Sequence, residues 1–129
     1  MPWAAVVGSS SSGELSASEF QSQANAICSD FKVETKNMTS AQDRDAALEA
    51  TNGKVEKLKA LNPPASMKAT YQAYLDSLDA GISVLTKLVK AADDNDFAQA
   101  ARLVPQATRH MRQGEAAARA AGLHVCAEA

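Results

Sequence analysis

The chain has 129 residues and a formal net charge of −2 at pH 7, with 46% apolar and only 5% aromatic side chains. That length favours one domain with one modest core. The near-neutral charge excludes the basic footprint of a nucleic-acid or anionic-membrane binder, and no apolar run approaches the roughly 20 residues of a membrane span. Alanine occurs 27 times, a composition that suits closely packed helices better than strands, which prefer β-branched and aromatic residues.

Residues 1–15 read as an N-terminal segment outside the domain. Met1 to Val7 holds a short apolar run without a basic residue, so it is not a complete signal peptide. Gly8 to Gly13 (GSSSSG) has the composition of a tether. Together they look like the end of an export signal followed by a linker. Residues 16–129 read as one helical domain.

Ser16 and Glu19 form a capping-box pattern, and Phe20, Ala24, Ile27, Phe31 and Met38 recur at helical spacing, which predicts a first helix over about 17–37. Cys28 lies beside this stripe. A second helix is expected to start at Ser40, with Leu48, Thr51, Val55, Leu58 and Leu61 or Asn62 inward. Gly53 within it is read as a close helix contact, and Asn62-Pro63-Pro64 ends it, because the residue before Pro avoids the helical region. Met67, Tyr71, Tyr74 or Leu75, Leu78, Ile82, Leu85 and Val89 mark a third helix, stopped at Asp93-Asp94-Asn95-Asp96. Asp96 and Gln99 cap a fourth, with Phe97, Ala100, Val104, Ala107, Met111, Gly114 and Ala118 as its core face and a kink at Pro105. Gly122 is placed to close that helix in a left-handed conformation, with Leu123 as its hydrophobic contact.

Connections of two to four residues force sequential neighbours antiparallel. The expected fold is therefore all-α, an up-down-up-down four-helix bundle. Cys28 and Cys126 match no metal or CxxC spacing, which leaves a disulfide or two separate buried thiols. The disulfide is the preferred reading, and closing a loop of about 100 residues contributes up to about 4.7 kcal/mol. On helix lengths, a short extended tail at His124-Val125-Cys126 would reach Cys28.

Residues that could carry chemistry are few. Arg102, Arg109, Arg112 and Arg119 share one arc of the fourth helix, opposite its predicted core face. They read as a solvated surface, with a weak anion contact as the alternative. The acidic run at 93–96 lacks the ligand alternation, Gly and closing Glu of an EF-hand, so it reads as a helix stop and cap. His110, at the edge of the core stripe, reads as a boundary residue, and Tyr71 and Tyr74 as core and rim aromatics. Neither a CxxCH haem motif, a di-iron pattern nor a Ser-His-acid grouping is present. The sequence therefore predicts no catalytic residue, no metal and no cofactor.

Residues 24–28 (ANAIC), 58–64 (LKALNPP), the Tyr71-to-Leu88 stretch, Asp94-Asn95-Asp96, and Ala121-Gly122-Leu123 ending at Cys126 resemble small secreted or lipoprotein-type helical-bundle proteins of actinobacteria. The likeness spans about residues 16–128. It implies an extracytoplasmic bundle with a Cys28–Cys126 bridge, and it implies no activity. The chain departs from that pattern at Val7, which stands where the lipidated cysteine would be.

The resulting expectation is a non-enzymatic binding or structural module of the cell envelope, acting on a protein or envelope partner. A carrier of a small hydrophobic ligand or haem is the alternative. Abundant small side chains argue against a roomy pocket, and an inward His110 would argue for one. The expected state is a monomer or a weak homo-oligomer paired through Leu15, Leu88 and Leu103.

Overall fold

The computed structural model describes residues 14–38 and 43–128. The N-terminal run and tether of residues 1–13 and the expected cap at Ser40 lie outside them. The described elements are all helical: α1 (Ala17–Thr35), α2 (Arg44–Lys59), a 3₁₀ turn (Ala65–Met67), α3 (Lys68–Asp93), α4 (Phe97–Ala120) and a short α5 (His124–Glu128). The four long helices pack together as the expected bundle.

The caps explain the boundaries. Ser16 Oγ accepts from the Glu19 amide while Glu19 Oε1 accepts from the Ser16 amide, both at 3.1 Å, so two otherwise unpaired helix-terminal donors are satisfied at once. Asp96 accepts from the Gln99 amide at 3.1 Å, and Asn95 takes a positive φ of 57° to turn the chain between α3 and α4. Gly122 (φ 77°) closes α4. Its amide bonds Arg119 O and the Leu123 amide bonds Ala118 O, a Schellman pair that drops Leu123 into the core. Helix α4 runs unbroken through Pro105, whose ring nitrogen cannot donate to the preceding turn.

Antiparallel packing of neighbours follows from which residues meet. Phe31 of α1 meets Lys54 of α2. Lys59 of α2 pairs with Asp79 of α3 at 2.9 Å, and Arg44 with Asp93 at 3.0 Å, at opposite ends of the α2–α3 contact. A Cβ on Gly114 would touch Ser77, and one on Gly81 would touch His110. These small residues let α3 and α4 form the most extensive helix pair of the fold.

The main core joins α1, α2, α3, the end of α4 and α5 around Phe20, Leu58, Tyr71, Tyr74 and Leu123. Phe20 meets Tyr71 edge-on, with ring centroids 4.6 Å apart, and Tyr71 donates to Leu58 O, satisfying its buried hydroxyl. Leu15 begins the packed region: it rests against this core and its amide donates to Asn62 O at 2.9 Å. A smaller core of Val84, Ala91 and Leu103 holds the far end of the α3–α4 hairpin.

Cys28 and Cys126 are bonded to each other and buried, tying α1 to the tail. The tail differs from the extended strand expected of it. It forms α5, because the Gly122 turn redirects the chain, Asn25 Oδ1 accepts the Val125 amide and Gln21 Nε2 donates to Ala121 O, each at 3.1 Å.

Three sequence readings are corrected. The core face of α4 is partly shifted: Gly114 and Ala118 are buried and Ala100 and Ala107 pack against the smaller core as expected, whereas Leu103 is 4% exposed and Phe97, Met111 and Val104 are 69%, 56% and 51% exposed. α3 is the closest partner of α4, so the buried stripe follows α3 rather than the centre of a symmetric bundle. Leu103, Leu88 and Leu15, assigned to pairing between copies, are all turned toward cores. Gly53 marks no close contact, since an added Cβ there would meet nothing within 4 Å.

Candidate functional site

Between the two cores the helices leave a cleft of about 310 Å³. Its walls are Ser77, Leu78, Gly81, Ile82 and Leu85 of α3 and Ala107, His110, Met111 and Gly114 of α4. Phe31 of α1 and Thr51 and Lys54 of α2 close it opposite, and the lining reaches Tyr74 and Cys126 of the main core. The volume lies at the low end of small-molecule sites. Abundant small side chains argue against a roomy pocket, and the cleft that forms is a small one. Gly81, Gly114 and Ala107 draw α3 and α4 together, yet their short side chains do not reach across to α1 and α2, and the space opens on that side.

Lys54 is the exceptional residue of the cleft. It is only 8% exposed, and it is the one charged residue buried among those described. Its Nζ sits 4.1 Å from the centroid of the Phe31 ring, a cation–π contact. No hydrogen bond or ion pair to Nζ occurs among the described residues. Burial pushes its pKa down to about 8. Tyr74, also on the lining, lies with its hydroxyl 3.9 Å from Cys28 Sγ, and burial raises its phenol to about 12. Tyr71 is shifted upward further by burial and by the adjacent Tyr74.

Sequence reasoning passed over Lys54, although a signal was there. Ala47, Thr51, Lys54, Leu58 and Leu61 follow the alternating three- and four-residue steps of an inward stripe. A lysine in the middle of such a stripe has to be buried or to snorkel out.

Of the residues singled out beforehand, His110 does line the cleft, half-buried, with Nδ1 3.3 Å from Gln113 Oε1. Tyr71 is sealed in the main core and does not reach the cleft. Arg102, Arg109 and Arg112 are exposed, away from the cleft; Arg102 is held by Gln99 Oε1 and Arg119 lies 3.8 Å from Glu115. Arg109 and Arg112 border a shallow outer depression beside Pro105.

No protein-family model matches the chain, and neither a curated protein nor a solved structure is similar to it.

The acidic run at 93–96 is consumed by structure: Asp93 binds Arg44, Asp94 binds Lys90 at 3.1 Å, Asn95 makes the turn and Asp96 caps α4. Among the described residues no group of three or more His, Cys, Asp or Glu is disposed to hold a metal ion. None of the described helices is long and apolar enough to cross a membrane.

Proposed function

We propose that this protein is a non-enzymatic, extracytoplasmic binding module that carries a small apolar molecule in the cleft between its four helices. The observation that carries this reading is the cleft itself, bounded by Leu78, Ile82, Leu85 and Met111 and widened by Gly81 and Gly114. Water in such a space makes few hydrogen bonds, so an apolar guest that displaces it gains the free energy of burying its own surface and that of the walls. At about 30 Å³ for a water-sized group there is room for about ten such groups. The extracytoplasmic part rests on the Cys28–Cys126 bridge, since structural disulfides persist in oxidising compartments, and on the resemblance to secreted actinobacterial bundles. A haem cargo has less support, because Met111 follows His110 directly and the two side chains leave α4 about 100° apart, so they cannot face one iron from opposite sides.

The test is methyl NMR during titration with decanol, a neutral probe of suitable size. Saturable shifts at Ile82, Leu85 and Met111, with Leu123 in the sealed core unmoved, are expected. Absence of saturable shifts along the cleft would overturn the carrier reading.

A further inference from the structure

We infer that the cleft selects a monoanionic guest, an aliphatic carboxylate whose head group pairs with Lys54 while its chain lies along the α3–α4 wall. The inference rests on the carrier reading and deepens it by naming the ligand class. Lys54 is 8% exposed and lines the cleft, its Nζ lies over the Phe31 ring, and an aromatic face satisfies none of its three N–H donors, so what Nζ keeps accessible is left for a guest or solvent in the cleft. An ammonium largely withdrawn from water with no counter-ion is unfavourable, and an apolar side chain of similar length would fill the same wall without that cost. A carboxylate guest would remove the deficit by supplying a charge-assisted hydrogen bond in a site with little water.

The charges around the cleft set the valence of the guest. From α2 the cleft receives one cation, Lys54. From α4 it receives His110, engaged by Gln113, and Glu115, whose carboxylate lies 3.8 Å from Arg119. From α3 it receives the Tyr74 phenol, which is neutral at pH 7. One available positive charge balances one negative charge. A phosphate dianion would carry a second charge into a wall with no cation to meet it, and Glu115 would add to the repulsion. The remaining wall is apolar and matches a hydrocarbon chain.

The deciding experiment compares decanoate with decanol at pH 7 on the intact chain and on Lys54→Met. These probes differ only at the head group. Wild-type protein is expected to bind decanoate about tenfold more tightly than decanol, and Lys54→Met to lose that preference and bind the two equally. A second measurement needs no variant: the Lys54 Cε resonance, followed against pH, should titrate higher with decanoate bound and no higher with decanol. Equal wild-type affinities with an unmoved Lys54 titration would overturn the carboxylate inference and leave the carrier reading standing. Failure of both probes to bind would overturn both.

Discussion

The hydroxyl of Tyr74 lies 3.9 Å from the Sγ of Cys28, with both residues buried where α1, α3 and α5 converge. A disulfide sulfur has no proton, so the phenol is the donor. This contact places the covalent link between α1 and the tail against the deepest side chain of α3. The bridge therefore ties together three elements far apart in sequence, and Tyr74 presents its other side to the cleft.

Removing the bridge should be strongly destabilising under oxidising conditions. Cys126→Ala is expected to cost about 2–4 kcal/mol, lowering the thermal midpoint by roughly 10 °C or more for a domain of this size. Thermal melts with and without reductant check this. The variant and the wild type should coincide in reductant, where neither has the bond.

The shifted face of α4 gives a paired prediction. Leu103→Ala empties a site sealed by Val84 and Ala91 and should cost about 2–4 kcal/mol. Phe97→Ala removes a larger side chain that is mostly exposed and should cost no more than about 0.5 kcal/mol. Urea midpoints at constant slope would measure both. The reverse order would restore the core face expected from periodicity alone.

Two glycines should respond in opposite directions. Gly53→Ala adds a methyl group to open space inside α2 and should stabilise by about 0.5–1 kcal/mol. Gly122→Ala places a Cβ at φ 77° and against Gln21 Nε2. The left-handed backbone alone costs about 1–2 kcal/mol, and the Gln21 amide must also move. In a Gln21→Ala background the same substitution should cost less, because only the backbone penalty remains. A double-mutant cycle reads that difference.

Stability should rise and then fall across the alkaline range. The unfolded Lys54 titrates near 10.5 and the folded one near 8, so between these values the unfolded chain binds more protons and stability increases with pH. Tyr71 and Tyr74 act in the opposite sense. Unfolded they ionise near 10.0 while the fold keeps them protonated, so above pH 10 the unfolded chain binds fewer protons and stability declines. Denaturant midpoints from pH 7 to 11 should show a maximum near pH 10. Lys54→Met should lose the rising limb and keep the falling one.

The chain by itself determined the helices and their order. Capping at Ser16 and Asp96, the Pro63-Pro64 break, the Asp93–Asp96 stop and the Gly122–Leu123 closure are local chemistry, set by side chains within a few residues of the backbone groups they satisfy. Short connections then fixed an antiparallel bundle, and two cysteines outside any metal or redox motif pointed to the bridge. Only the tertiary structure decided which way each helix faces. Periodicity defines an apolar stripe to within about one residue in rotation, and α4 has apolar side chains on both sides of that uncertainty. Leu103 is buried and Phe97 is not, because Leu103 faces Val84 and Ala91 of α3 whereas Phe97 faces no core. The same packing leaves the cleft unfilled and sets Lys54 into its wall beside Phe31, a juxtaposition of α1 and α2 that no local pattern encodes.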